Sequence, residues 1–275
     1  MKFIENFSLD NRSVLITGAG GMLGFYHSYA VLELGAHVVL TDIEKDKLEN
    51  ARLKLSEKFN PDSIDCIEMD VTNEDAVMSV KNELLRSKKN ISILINNAAI
   101  DSKFDLENQN FSRVENFDLS QWQLELNVGL MGAFICSKVF GTEMAKNRHG
   151  NIINIASDLS VISPDQRLYM KDDALPEDQP VKPITYSVIK SGLLGLTRYL
   201  STYWSSSGVR SNCLSPGGVY NDHDQIFVQK LSDLIPLGRM ADIDEYVGAI
   251  QFLASDASSY MNGQNLVIDG GRSVL

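Results

Sequence analysis

A chain of 275 residues, 44% hydrophobic and 22% charged, can bury one large core and has the composition of an ordinary globular protein. Its formal net charge of −11 argues against nucleic acid as a partner, and no run approaches the ~20 consecutive apolar residues of a membrane span. Cys66, Cys136 and Cys213 are scattered, no Cys/His cluster has zinc-ligand spacing, and the first ten residues lack the apolar core of a signal peptide, so a cytoplasmic protein without a metal is expected.

Predicted strands and helices alternate along the chain. Ser13–Thr17 reads as a short buried strand, Leu23–Leu34 as a helix ending at Gly35, and His37–Thr41 as a second strand. A charged amphipathic helix follows at Glu44–Lys58, a strand at Ile64–Glu68, a helix at Asn73–Ser87 and a strand at Ile91–Ile95. The second half continues with a long helix at Ser120–Lys146, a strand at Asn151–Ile155 and another long helix at Ile184–Ser206. Strands at Val209–Leu214 and Asn265–Ile268 flank a helix at Asp242–Ala254. Seven strands alternating with helices predict an α/β fold: a Rossmann-like, doubly wound parallel sheet with helices on both faces, in a single domain spanning 1–275. Two stretches break the rhythm. Residues 163–183 hold four prolines among many charges and make a loop too long for an ordinary connection. Residues 219–236 follow a Pro-Gly-Gly turn and read as a mobile substrate flap.

After the first strand comes Thr17-Gly18-Ala19-Gly20-Gly21-Met22-Leu23-Gly24. Glycines here permit a tight turn and a close approach of backbone to a pyrophosphate, and the following helix N-terminus offers free N–H groups. Gly18, Gly21, Met22, Leu23 and Gly24 are therefore the expected phosphate cradle. Asp42 ends the second strand ~20 residues further on, where a carboxylate can accept both ribose hydroxyls and repel a 2′-phosphate. No Arg follows at once, although Lys45 is near, which favours NAD over NADP as cofactor. The same Asp42 could instead cap the next helix. Asp70 and Val71, after the third strand, are placed either at the adenine edge or, for Asp70, as a cap.

Tyr186 and Lys190 form Y-x-x-x-K on a predicted helix, and the i, i+4 spacing puts both on one face. A free tyrosine is a poor base at neutral pH; a nearby ammonium favours the phenolate. The spacing alone is common, and only its context gives it weight.

Together these features resemble the short-chain dehydrogenase/reductase family. The resemblance runs from Ser13 to about Gly271. It is carried by Gly18–Gly24, Asn96-Asn97-Ala98-Ala99, Ser157, Tyr186 with Lys190, Pro216-Gly217-Gly218-Val219, Pro236-Leu237-Gly238-Arg239 and Asp269-Gly270-Gly271. It implies an oxidoreductase that moves a hydride between a nicotinamide cofactor and a carbonyl or alcohol carbon. Tyr186 would be the acid/base, Lys190 would hold the nicotinamide ribose and lower the tyrosine pKa, and Ser157 would bind the substrate oxygen. Asn97 would line the cofactor cleft, and Val219 would contact the carboxamide. The resemblance also implies a homo-oligomer, a dimer or tetramer, and a small-molecule substrate.

Three departures matter. The loop reads T-G-x-x-G-x-x-G, with Met22 at the usual second glycine. Alignment on Trp122 and Gly132-Ala133-Phe134 puts Gly129 where the family often has a relay Asn; Asn127, about 200° around the helix, should point elsewhere. Ser157 and Tyr186 lie 29 residues apart instead of about a dozen, the excess being the 163–183 loop. That loop is expected to wall the substrate cleft, with Arg167 or Lys171 binding an anionic or polyhydroxylated substrate, or else to be a solvated loop or an oligomer contact. The leading reading is an NAD-dependent dehydrogenase of a carbohydrate-like substrate, similar to members found in bacterial surface-sugar and flagellin-modification pathways. The alternatives are a 3-oxoacyl thioester reductase and a non-catalytic dinucleotide sensor.

Overall fold

The apolar runs that predict strands are buried on both sides. Val14, Ile16, Val38, Leu40, Ile93, Ile95, Ile153 and Ile155 point into one core; Leu15, Val39, Leu94 and Ile152 point into another. A period of two along each strand thus feeds two cores at once, as a sheet covered on both faces requires. The computed structural model describes residues 4–100, 112–171 and 174–275. Its strands are β1 (Ser13–Thr17), β2 (His37–Asp42), β3 (Ile64–Glu68), β4 (Ile91–Asn96), β5 (Gly150–Ile155), β6 (Val209–Pro216) and β7 (Asn265–Ile268). They form one parallel sheet in the order β3-β2-β1-β4-β5-β6-β7. The chain winds outward from β1 to β3 and then returns to β4 on the other side of β1. A crevice opens at such a reversal, above the carboxyl ends of the strands.

Among the described residues there are seven α-helices. These are α1 (Met22–Leu32), α2 (Lys45–Ser56), α3 (Glu74–Arg86), α4 (Leu119–Lys146), α5 (Ile184–Tyr203), α6 (Gln225–Ser232) and α7 (Val247–Ala254). Helices α1, α2 and α7 cover the first core; α3, α4 and α5 cover the second. Local chemistry sets their ends. Asn73 caps α3 by accepting from the Asp75 and Ala76 amides at 3.0 and 3.1 Å, and Gly35, at φ +89°, turns the chain after α1.

Helix α4 is long and apolar enough to cross a membrane by length and composition. Its apolar residues Ile135, Cys136, Val139, Phe140 and Met144 are instead buried against the sheet and α3, so it is a core helix of this fold. It carries a five-residue π-turn at Asn127–Met131.

The flap differs from expectation. Residues 219–236 contain α6, capped by Asp224, which accepts from the Ile226 and Phe227 amides at 2.9 and 3.2 Å. Helix α6 packs on the long loop: Leu231, Ile235 and Met240 bury Leu168, and the Phe227 and Tyr169 rings lie 5.8 Å apart. Lys230 also donates to the Met170 carbonyl at 3.0 Å. The two irregular stretches therefore form one small packed unit above the sheet; residues 172 and 173 of the loop lie outside the described ones.

Candidate active site

A cleft of about 650 Å³ runs over the carboxyl ends of the central strands, from the glycine loop after β1 to the loop–flap unit. At one end, Gly18, Gly21, Met22 and Leu23 line it. Gly18 sits at φ +63°, and a Cβ there would lie 2.8 Å from Ala98 Cα. A Cβ on Gly24 would meet the Gly18 carbonyl oxygen at 2.2 Å, so Gly24 keeps α1 tight under the loop without itself lining the cleft. Gly21 is the N-cap of α1 and offers no side-chain cap, which leaves the first amides of the helix for a ligand. Met22 opens the helix and is 41% exposed, so a side chain at this position is accommodated. The loop therefore has the backbone shape and the free donors that a dinucleotide pyrophosphate needs.

Asp42 stands at the mouth of this cradle. Its two carboxylate oxygens accept from the Gly20 and Glu44 amides, each at 3.1 Å. The side chain thus stiffens the loop and braces the turn that leads into α2, whose N-cap is Glu44, while still facing the cleft. The cation that lines the cleft beside it is Lys47, not Lys45. Lys47 is ion-paired with Glu44, and that hydrogen bond holds its ammonium above the usual lysine range. Asp70 also lines the cleft and accepts from the Thr72 amide and hydroxyl at 2.8 and 2.7 Å, and Val71 lies beside it. Asn97 locks the end of β4 to the glycine loop, its amide donating to the Thr17 and Gly18 carbonyls at 3.0 Å each.

Behind the cradle, His27 on α1 is fully buried. Burial, and then the Lys190 charge, push its pKa down to about 3, so it is neutral at physiological pH.

Ser157, Tyr186 and Lys190 converge at the other end of the cleft, joined by Val219. Ser157 follows β5 and caps a short turn over Asp158–Ser160. Tyr186 and Lys190 lie on the first turns of α5. Lys190 is buried and donates to the Ile155 carbonyl at 2.8 Å, with its ammonium 5.6 Å from the Tyr186 ring centre. The start of α5 is held by Thr185, whose hydroxyl donates to the buried carboxylate of Glu125 on α4.

Gly129 falls in the π-turn, and a Cβ there would meet Ile189 Cγ2 at 2.7 Å. The close approach of α4 to α5 leaves no room for a relay side chain at this position. Asn127 accepts from Gln123 at 2.7 Å and does not line the cleft.

The long loop does wall the cleft, but through other residues than expected. Arg167 is turned to solvent and paired with Asp165 at 2.6 Å, and neither it nor Lys171 lines the cleft. Leu168, Tyr169 and Lys182 do. The Lys182 ammonium lies 4.0 Å from the centre of the Tyr186 ring, a cation–π contact. Lys182 precedes the helix, whose N-cap is Pro183, so helical spacing gave no signal for it. Two further lining residues, Asp158 and Arg272, gave none, because they meet only across the folded chain.

Comparison with known proteins agrees with this fold. The short chain dehydrogenase profile matches residues 12–169, and the Enoyl-(Acyl carrier protein) reductase profile matches residues 177–273. The chain is 30% identical to the gluconate 5-dehydrogenase of Gluconobacter oxydans (strain 621H), covering 100% of this chain and 99% of that one. It is 26% identical to the NAD-dependent glycerol dehydrogenase of Listeria innocua serovar 6a, over 99% of this chain and 98% of that one. Among solved structures, a gluconate 5-dehydrogenase from Burkholderia cenocepacia in complex with NADP and tartrate superposes with a TM-score of 0.84 at 29% identity, covering 99% of each chain. The chain belongs to the short-chain dehydrogenase/reductase family, oxidoreductases that act on CH–OH groups with a nicotinamide dinucleotide.

Proposed function

We propose that this protein is an NAD-dependent dehydrogenase of a small polyhydroxylated substrate, a polyol or a sugar acid, working in the cytoplasm as a dimer or tetramer. One observation carries the reading. Ser157, Tyr186 and Lys190 share a cleft with an uncapped helix N-terminus and with the Asp42 carboxylate. Relatives that act on glycerol and gluconate support the substrate class.

The residues divide the work. Gly18, Gly21, Met22 and Leu23 would hold the pyrophosphate on backbone amides, and Gly24 lets that backbone close up. Asp42 would accept from the adenosine ribose; it supports NAD because a 2′-phosphate would face a carboxylate, while Lys47 is occupied by Glu44. Asp70 and Val71 would flank the adenine, Asn97 keeps the floor of the cleft rigid, and Val219 would meet the carboxamide. The bound cofactor supplies the hydride acceptor or donor. Tyr186 would take the proton from the substrate hydroxyl in the oxidation direction. The ammonium groups of Lys182 and Lys190 favour its phenolate. Lys190 would in addition reach the nicotinamide ribose, and Ser157 would hold the substrate.

The test is one assay. Purified protein is mixed with glycerol, threitol and D-gluconate, each with NAD and with NADP, and absorbance of the reduced cofactor is followed for wild type, Tyr186→Phe and Asp42→Ala. Wild type should reduce NAD in preference to NADP, Asp42→Ala should lose that preference, and Tyr186→Phe should lose about 10²–10⁴-fold in kcat. Equal rates in wild type and Tyr186→Phe would refute the assignment of the base.

A further inference from the structure

His223 stands in the wall of the cleft and has no part in the chemistry proposed above. It lies between two fixed points of the flap. Before it, the Tyr220 amide donates to the Ala241 carbonyl at 2.9 Å, next to the bridge that pairs Val219 with Ala241. After it, Asp224 caps α6. Between them Asp222 adopts the left-handed conformation at φ +49°, and the Asn221 amide donates to His223 Nδ1 at 3.1 Å. The imidazole stacks on Phe227, with ring centres 5.5 Å and planes 25° apart, and Phe227 packs in turn on Tyr169 of the long loop. A ring held on one face and on its Nδ1 edge has little side-chain freedom left to lose when it binds a ligand.

The amide sets the direction of the Nδ1 contact, because a backbone N–H can only donate. Nδ1 is therefore the acceptor and carries no proton, so the N–H of the ring is Nε2, on the edge away from the Asn221 amide. Among the described residues none accepts from it. This N–H requires an acceptor oxygen. The reacting oxygen of the substrate is served by Ser157, after β5, and by Tyr186, on α5, whereas His223 reaches the cleft from the flap after β6. A polyol or a sugar acid carries further oxygens along its chain, each with a lone pair to offer.

We propose that His223 is a substrate-binding residue, whose Nε2–H donates to an oxygen of the substrate other than the reacting one, so that the flap selects substrates with a second oxygen. This rests on the reading of the protein as a dehydrogenase of a polyol or sugar acid and names the group that recognises what sets such molecules apart from simple alcohols. A hydroxyl and a carboxylate both satisfy the donor, and the size of the effect separates them.

The experiment measures kcat and KM with NAD for threitol, for D-gluconate and for butan-2-ol, which has no second oxygen. Wild type is compared with three variants, and NADH binding followed by fluorescence verifies that each is folded. His223→Phe keeps the ring stack and loses both nitrogens. His223→Asn keeps an acceptor for the Asn221 amide and loses the outer donor. His223→Gln loses the ring and carries an amide donor near the place of Nε2. His223→Phe and His223→Asn should raise KM with kcat nearly unchanged, by about 3- to 10-fold where the oxygen is a hydroxyl and about 10- to 100-fold where it is a carboxylate. The larger rise, on threitol or on D-gluconate, therefore tells which oxygen is read. His223→Gln should stay within about threefold of wild type. On butan-2-ol kcat/KM should be the same in all four proteins. An equal loss on butan-2-ol would make His223 a structural part of the flap and overturn the proposal, with the dehydrogenase reading intact. Recovery by His223→Asn and not by His223→Gln would overturn it too, since the task would then be to hold the Asn221 amide. So would an unchanged KM in His223→Phe. No turnover of threitol or D-gluconate by a wild type that binds NADH would remove the substrate reading and the proposal together.

Discussion

The two ends of the cleft are built by different means. The cofactor end is made of backbone: glycines that let chain segments touch, the free amides of α1, and a carboxylate that braces the loop. The substrate end is made of side chains brought together from distant positions: Leu168 against Leu231, Lys182 over Tyr186, Arg272 on Asp158. A backbone site depends on a fixed local spacing and tolerates almost no added atom where chain segments touch, as at Gly18 and Gly24. A side-chain site can be retuned by exchanging one contact, which suits a family that keeps its cofactor and varies its substrate.

That contrast can be broken by substitution. Gly24→Ala should do the greatest damage. The new methyl would stand 2.2 Å from a carbonyl oxygen, and overpacking of about 1–3 kcal/mol should weaken NADH binding roughly 5- to 150-fold in a fluorescence titration. Affinity within twofold of wild type would mean that the cofactor end is as forgiving as the other. Leu231→Ala should act on the substrate end alone. Loosening the loop–flap cluster by about 2–3 kcal/mol should raise KM for the polyol several-fold with NADH affinity nearly unchanged, because a poorly packed surface unit opens without unfolding the sheet. An equal loss in NADH affinity would show the two ends to be coupled.

The smallest effect concerns the seam between them, where His27 lies under the glycine loop and feels Lys190. Its folded pKa of about 3 lies below the unfolded value of 6.5, so the unfolded chain binds the extra proton between those limits. Its contribution to stability is therefore intact above pH 6.5 and is lost as pH falls toward 3, by at most about 1.4 kcal/mol per pH unit. Urea unfolding at pH 7.5 and pH 5 should show a smaller difference in His27→Leu than in wild type; identical pH dependence would refute the assignment.

What was legible in the sequence follows the same division. The strand Ser13–Thr17 lies where its apolar run puts it, because a strand buried on both faces leaves a continuous signal, and the half-buried edge strands Ile64–Glu68 and Asn265–Ile268 also keep their expected bounds. The glycine loop and the Tyr186–Lys190 pair are short-range patterns set by φ and by helical pitch. Helix α6 is only eight residues long and lies in a stretch that the Pro-Gly-Gly turn marks as a flap; its place is decided by the loop it packs on. Asp158 and Arg272 were hidden for a stronger reason. Each is unremarkable within its own segment, and only the adjacency of β5, β6 and β7 in the sheet brings them together.

The strand order β3-β2-β1-β4-β5-β6-β7 also sets a timetable. The strands that bracket the glycine loop have all been synthesised once the ribosome passes Asn96, and they can pair among themselves. Strand β5, the next to join, begins at Gly150. At about 5–20 residues per second the intervening stretch takes roughly 3–10 s to make. Throughout that interval the outer edge of β4, a row of unpaired amides and carbonyls beside Ile93 and Ile95, has no neighbour. A nascent chain of this topology is exposed to edge-to-edge association in the middle of its own translation, and that is the window in which a holdase would have to act.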